Sequence, residues 1–137
     1  MASKIPVNNP NAPDFGSMFN WGLKISDISE LFLLAGAGAV NADHVVQHPD
    51  DPVGQTRYIL DDVQSLIEAN GYAKNDIVRI EFTMTKDVAP ESYGEIFGLF
   101  VEFFADVDVK PAAGTLRVID ALAIPGMLVE YEFWLAR

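Results

Sequence analysis

The sequence predicts an α+β fold in which two helices pack on one face of a mixed sheet. Five segments show the apolar patterns of strands and two show the periodicity of amphipathic helices, in the order β-β-α-β-α-β-β. The 137 residues suit one domain with its own core, since 50% are hydrophobic and 21% are charged. We therefore expect a single domain over residues 1–137.

The N-terminal part of the chain is predicted to form an arm and two strands. Residues 1–18 are rich in Pro and Asn, and this composition predicts an extended arm. In residues 19–25, aromatic and aliphatic side chains alternate with Asn, Gly and Lys, which is typical of a strand. Residues 31–40 form a continuous apolar run, which predicts a strand buried on both faces.

Two motifs before the first helix raise the question of a ligand site. Gly36-Ala37-Gly38 lacks the Gly-Lys-Ser/Thr of a phosphate-binding loop, which leaves close backbone packing or room for a ligand. His44 and His48 lie among acidic residues in the polar segment 41–51. Histidines four residues apart converge on a metal only on a helix, so a solvated loop is favoured over a metal site.

Two segments show helical periodicity. Asp51 and Pro52 are predicted as the N-cap and first residue of one helix, which ends at Asn70-Gly71. The apolar stripe of this helix comprises Ile59, Val63, Leu66 and Ile67. A second helix is predicted from Pro90, with a stripe of Tyr93, Ile96, Phe97, Phe100, Val101 and Phe104. Between the helices, alternation predicts a strand that places Val78, Ile80, Phe82 and Met84 on one face.

The C-terminal stretch carries the pattern of most chemical interest. Two apolar runs joined by Pro125-Gly126 predict paired antiparallel strands. Alternation places Ala113, Thr115 and Arg117 on one face of the first strand, opposite Leu116 and Val118. In the second strand Glu130 and Glu132 share a face, opposite Val129, Tyr131 and Phe133. These two carboxylates are either a functional pair or the solvent-exposed side of a half-buried strand.

The face of the sheet that no helix covers is predicted to be polar. It carries Arg79, Glu81, Thr83, Arg117, Glu130 and Glu132. On a chain this apolar, such a face indicates subunits that pack face to face around an axis. Simple exposure to solvent is the competing explanation.

Composition excludes several classes of partner. With 9 basic and 20 acidic residues, the chain has a net charge of −11, so it repels nucleic acid backbones. It has no cysteine, and therefore neither a disulfide framework nor a thiol nucleophile. No apolar run is long enough to span a bilayer, so we expect no membrane partner and a cytoplasmic location.

Several motifs in this order resemble one family. They are Phe-Asn-Trp-Gly-Leu, Leu-Leu-Ala-Gly-Ala-Gly, the helix that ends in Ala-Asn-Gly, the strand from Asp76 to Asp87, Phe-Phe before Pro111-Ala112, and Val-Glu-Tyr-Glu-Phe. The chain resembles the Rid (reactive intermediate deaminase, YjgF-like) family from about Phe19 to its C-terminus. The resemblance implies a chorismate-mutase-like fold and a homotrimer whose sheets form a central barrel with three clefts between subunits. It also implies hydrolysis of enamines and imines with no cofactor and no metal.

The resemblance also implies a set of cleft residues, and this chain departs from most of them. The arginine expected after Pro-Ala, which holds the substrate carboxylate, is Ala113, and the cysteine two positions later is Thr115. The family's tyrosine, glutamine and asparagine positions are occupied by Phe19, Ala37 and Phe97. Gly36 and the catalytic glutamate, Glu130, are retained, with Glu132 two residues on. Without the arginine, deamination of 2-aminoacrylate is expected to be weak or absent.

Phe in place of Tyr, Phe in place of Asn and Ala in place of Arg all make the cleft more apolar, and Trp21 adds a further aromatic wall. We therefore expect a Rid-type cleft that accepts a neutral or hydrophobic small molecule, with Phe19, Trp21, Gly36, Ala37, Phe97, Ala113 and Glu132 as binding residues. Glu130 would activate the attacking water, and Thr115 would donate a hydrogen bond to developing charge. The alternatives are a trimer that binds a small molecule without turnover, and a structural trimer with vestigial clefts.

Overall fold

The computed structural model describes residues 2–137 and confirms the predicted α+β architecture. The strands are β1 (Ser3–Val7), β2 (Gly22–Ser26), β3 (Leu31–Leu33), β4 (Ala37–Gly38), β5 (Ile77–Thr85), β6 (Ala112–Ile119) and β7 (Val129–Ala136). The helices are α1 (Pro52–Ala69) and α2 (Tyr93–Phe103). Both helices cover the same face of the main sheet, and the core lies between these two layers.

Helix α1 begins and ends as the sequence predicts. The Asp51 carboxylate accepts a hydrogen bond from the Gly54 N–H at 2.9 Å, and Pro52 occupies the first turn. Gly71 follows the C-cap Asn70 with a φ of 79°, a left-handed conformation that glycine adopts without strain. The stripe residues Ile59, Val63 and Ile67 are buried, whereas Leu66 is exposed.

The predicted C-terminal hairpin is wrong. In the main sheet the strand order is β3-β7-β5-β6, so β5 lies between the two strands that were expected to pair. Strand β6 is parallel to β5, while β7 is antiparallel to it. The Pro125-Gly126 turn is real, with a Gly126 φ of 96°, but residues 120–128 cross from one side of β5 to the other. Alternation identified both strands and could not identify their partners.

A β-bulge in β6 overturns the predicted face of Ala113. Ala113 lies opposite Ile80 and Leu116 lies opposite Phe82, so Gly114 and Thr115 together oppose the single residue Glu81. The extra residue places Ala113 and Leu116 on the helix-covered face. Arg117, opposite Thr83, therefore faces away from Ala113, not alongside it as the period of two had predicted.

The run over residues 31–40 is not a strand buried on both faces. Strand β3 is an edge strand of three residues, and Leu31 and Leu33 are each 60% exposed. Only two residues of the run, in β4, pair again with β7. Part of the arm is more ordered than predicted, because β1 pairs antiparallel with β2. This ribbon joins the main sheet beside β6 through a bridge between Asn20 and Ala112.

Within residues 2–137, no helix is long and apolar enough to cross a membrane. His44 and His48 are both exposed and lie in the loop before α1. Across the described part of the chain, no group of three or more His, Asp or Glu side chains is placed to hold a metal ion.

Candidate functional site

An apolar pocket lies on the helix-covered side of the sheet, at the edge formed by β6. Its volume is about 280 Å³. Phe19, Phe97 and Ala113, three of the predicted binding residues, all line it. The other lining residues are Phe15, Met18, Phe82, Gly114 and Leu116. Since no lining side chain is charged, the pocket suits an uncharged aromatic or aliphatic group.

The walls of this pocket are held by an aromatic cluster that belongs to the core. The Phe82 ring lies 5.2 Å from the Phe19 ring and 5.7 Å from the Phe97 ring, both in edge-to-face geometry. Phe100 and Tyr131 lie directly behind Phe82, with ring centroids 5.2 and 5.8 Å from it. Such pairs are stabilising beyond the area they bury, so the pocket is preformed.

The floor of the pocket depends on the bulge in β6. The bulge leaves the Thr115 N–H outside the regular ladder, and this N–H donates to Glu81 Oε2 at 2.9 Å. A Cβ on Gly114 would lie 2.4 Å from the Glu81 carboxyl carbon, so only glycine allows this contact. The Glu81 side chain thus fixes the position at which Ala113 and Leu116 turn toward the pocket.

Glu81 also holds both arginines of the uncovered face. Arg79 lies 2.7 Å from one carboxylate oxygen and Arg117 lies 3.0 Å from the other. Burial alone would raise the pKa of the Glu81 carboxyl, but the Thr115 N–H and the two guanidiniums outweigh it and lower that pKa. Neither arginine can therefore replace the missing anchor beside Ala113 without releasing Glu81.

Glu130 lies on the uncovered face, opposite Thr83 of β5 and Gly38 of β4. Its carboxylate packs on Gly36, where an added Cβ would lie 2.9 Å from the carboxyl carbon. The two residues that the Rid pattern retains are thus in direct contact, and a larger residue at position 36 would displace the carboxylate. None of the ion pairs formed within residues 2–137 includes Glu130.

The remaining predicted residues lie at separate places. Glu132 is opposite Glu81 and accepts a hydrogen bond from the Trp134 indole N–H at 3.0 Å. Ala37 packs against the core. Trp21 is 54% exposed and lines a second cavity, next to the apolar pocket.

A single chain therefore does not bring the predicted site together. Phe19, Phe97 and Ala113 lie on the helix-covered side of the sheet, whereas Glu130 and Glu132 lie on the other side. Only a second copy of the chain could place a Glu130 carboxylate at the mouth of the apolar pocket.

Sequence reasoning missed several residues that shape this region. Glu81 was assigned to the polar face, but its contacts with Gly114 and Thr115 depend on a register shift that alternation cannot reveal. Phe15 and Met18 were included in a featureless arm, although both line the pocket. Their large apolar side chains, within residues 8–18 that otherwise consist of Pro, Asn, Asp, Gly, Ala and Ser, were the available signal.

Neither a protein-family model nor a curated protein sequence matches the chain. Solved structures do match it. YyfB from Yersinia pestis, a protein of the conserved Rid family, superposes with a TM-score of 0.84 at 21% identity, covering 98% of each chain. Rv2704 from Mycobacterium tuberculosis, a member of the YjgF/YER057c/UK114 family, gives a TM-score of 0.62 at 21% identity, over 98% of this chain and 100% of that one.

This chain has the Rid fold. YyfA from Yersinia pestis, also of the Rid family, agrees with a TM-score of 0.63 at 19% identity and coverage of 98% and 100%. The neighbours confirm the resemblance in fold and the predicted arrangement of two helices on a mixed sheet. At these identities the similarity extends to the Rid fold and to nothing more specific.

Proposed function

We propose that this Rid-fold chain is a member of the Rid family that forms homotrimers. Each cleft between protomers hydrolyses an imine, an enamine or a related bond of a neutral or hydrophobic small molecule. The observation that carries the proposal is the uncharged pocket of about 280 Å³ at Phe19, Phe97 and Ala113, three positions where the Rid pattern puts substrate-binding side chains.

The uncovered face supports assembly. Its exposed apolar residues include Leu31, Leu33 and Trp134, and the charges of Glu81 are compensated by Arg79 and Arg117. A second copy that packs on this face would bury the apolar residues without leaving a carboxylate unpaired at Glu81. The proposed site further requires that this packing bring one protomer's Glu130 to the β6 edge of its neighbour, where the apolar pocket lies.

In the proposed reaction, Glu130 takes a proton from water while the water oxygen bonds to the C=N carbon. The C=N π electrons move to the nitrogen, which takes the proton back from Glu130 and leaves a carbinolamine. Glu130 then transfers the hydroxyl proton of the carbinolamine to the nitrogen as the C–N bond breaks, and the products are a carbonyl compound and ammonia or an amine. Overall, one imine and one water give one carbonyl compound and one amine or ammonia, so no oxidant, reductant or metal is required. The side chain of Thr115 would donate a hydrogen bond to the developing charge.

A non-catalytic role as a trimeric small-molecule-binding protein is the second candidate. It is favoured by the pocket lining, which within one chain holds no side chain that could exchange a proton. Such a protein would capture a hydrophobic metabolite in a degenerate deaminase site.

Glu130→Gln separates the two candidates. We expect the kcat/KM of the variant for a panel of aromatic and aliphatic imines to be at least 100-fold lower than that of the parent protein, because general base catalysis contributes about 10²–10⁴-fold. Ammonia release measures the rate, and light scattering after size exclusion measures assembly. Glu68→Gln is the matched control, since it removes an exposed carboxylate of α1 that lines neither the pocket nor the uncovered face, and it should keep the activity of the parent protein.

Equal activity of Glu130→Gln and the parent protein would remove Glu130 from the mechanism. Ligand binding without turnover of any imine by the parent protein would leave the binding role. A monomer at all concentrations would exclude both candidates as stated, because the site would then be incomplete.

A further inference from the structure

A second cavity adjoins the apolar pocket and shares two of its walls. This cavity has a volume of about 330 Å³ and lies under the arm that connects β1 to β2. Phe15 and Phe19 line both spaces. The two cavities therefore adjoin each other at Phe15 and Phe19, and we call the pair the bipartite cleft, with an apolar compartment and an outer compartment.

The outer compartment has a different chemical character. Asn8, Asn9 and Asp14 line it, and Trp21 adds an exposed aromatic side chain. Asp14 Oδ1 accepts a hydrogen bond from the Gly16 N–H at 2.8 Å, and no hydrogen bond within residues 2–137 engages Oδ2. Asp14 is the one charged residue that lines either compartment within residues 2–137. A carboxylate and the face of a tryptophan are two groups that attract an organic cation.

Within residues 2–137, no Lys or Arg lines either compartment. Arg79 and Arg117 lie on the opposite face of the sheet, where Glu81 holds them. The Lys110 ammonium, three residues before Ala113, donates to the carbonyl oxygens of Phe104 and Val107 at 2.6 Å each. A ligand carboxylate in the cleft would therefore meet Asp14 without a compensating cation.

The field of the whole protein acts in the same direction. The net charge of −11 raises the local concentration of cations and lowers that of anions. Local and overall electrostatics thus both oppose the anionic substrates that an arginine beside Pro-Ala would select.

We propose that the bipartite cleft binds an amphipathic organic cation, an aryl-alkyl ammonium or iminium. Its ring occupies the apolar compartment and its charged nitrogen lies between Asp14 and Trp21. This inference rests on the proposed function and narrows its substrate to hydrophobic molecules that also carry a cationic nitrogen. The cleft would then prefer cations, whereas a cleft with arginine at position 113 would prefer anions. Two changes explain this preference: position 113 has no basic side chain, and Asp14 adds an acidic one.

The test uses three probes of similar size at pH 7, namely 2-phenylethylammonium, 2-phenylethanol and 3-phenylpropionate. Their dissociation constants for the full-length protein are measured by ligand-observed NMR. We expect the cation to bind about fivefold more tightly than the alcohol, and the carboxylate to bind most weakly, because exposed ion pairs and cation–π contacts each contribute a few-fold.

Asp14→Asn is expected to reduce the preference for the cation over the alcohol to about twofold or less. Asp62→Asn, which makes the same change in net charge on the exposed side of α1, is the matched control and should leave the preference unchanged. Trp21→Leu should lower affinity for the cation more than for the alcohol. Because these effects are ratios between probes, a variant that merely loosens the arm would lower all three affinities together.

Tighter binding of the carboxylate than of the ammonium overturns the inference, and so does an unchanged preference in Asp14→Asn or binding of none of the probes. Turnover is not used in this test. If the hydrolytic function fails, with Glu130→Gln behaving like the parent protein, the order of the three affinities still decides whether the cleft selects cations.

Discussion

The two faces of the central sheet are built on different physical principles. On the helix-covered face, Ile80, Phe82 and Met84 are almost completely buried and contact apolar and aromatic side chains. On the other face, Arg79, Glu81 and Thr83 alternate with them along the same strand and remain half-buried. The first face holds the fold together by packing, whereas the second uses charge pairs that leave it able to meet another surface.

The bulge in β6 connects the two faces. Glu81 lies on the uncovered face, yet its contact with Gly114 and the Thr115 N–H decides which residues reach the pocket on the covered face. A polar residue on one side of the sheet thus shapes an apolar site on the other.

The largest expected effect contrasts the two faces directly. Phe100→Ala should lower the free energy of unfolding by about 3–5 kcal/mol, because Phe100 is fully buried in the aromatic cluster. Trp134→Ala, on the uncovered face, should cost only about 1 kcal/mol in a single chain, since Trp134 is 40% exposed. Urea denaturation measures both values.

Protein concentration sharpens this contrast. If copies pack on the uncovered face as proposed, the loss of stability caused by Trp134→Ala should grow with protein concentration. Most of the loss caused by Phe100→Ala should be the same at every concentration. Similar losses in both variants at every concentration would contradict the distinction between the faces.

Gly114→Ala tests the connection between the faces. The new methyl group would overlap the Glu81 carboxylate, so we expect a loss of about 1–3 kcal/mol and weaker binding in the apolar pocket. Gly98→Ala is the matched control: among residues 2–137 no atom lies within 4 Å of its added Cβ, and it lies inside α2. That variant should gain about 0.5–1 kcal/mol. Equal outcomes for the two glycines would mean that the bulge does not depend on Glu81.

The smallest expected effect depends on pH. The pKa of Glu81 is lower in the folded protein than its ordinary value, so its ionised form stabilises the fold above the unfolded-state pKa. This contribution is lost as the pH falls through the folded-state pKa. Glu81→Gln should therefore cost about 1–2 kcal/mol near pH 7, and the difference from the parent protein should narrow in acid.

Denaturation curves collected between about pH 3 and pH 7 check this dependence. Glu95→Gln is the control, because Glu95 is exposed on α2 and is in none of the ion pairs within residues 2–137, so its substitution should change stability little at any pH. A difference between Glu81→Gln and the parent that widens toward low pH would contradict the assigned sign.

The sequence by itself determined both helices and the strands β2, β5, β6 and β7 in their order, since local periodicity and capping residues encode them. It missed β1 and the break between β3 and β4. It predicted α1 from Asp51 and Pro52 to Asn70 and Gly71, and it identified the alternating faces of β5 and β7. It also selected Phe19, Phe97 and Ala113, which line one pocket. The elements and their faces depend on residues close together in the chain, whereas the three pocket positions came from the resemblance to the Rid family.

Only the tertiary structure decided which strands pair, where the register shifts and which side of the sheet each site residue occupies. The insertion of β5 between β6 and β7, and the single extra residue at Gly114-Thr115, are properties of non-local pairing that no repeat of two can encode. For the same reason, Glu130 and the residues of the apolar pocket belong to one predicted site but lie on opposite faces of the sheet in one chain.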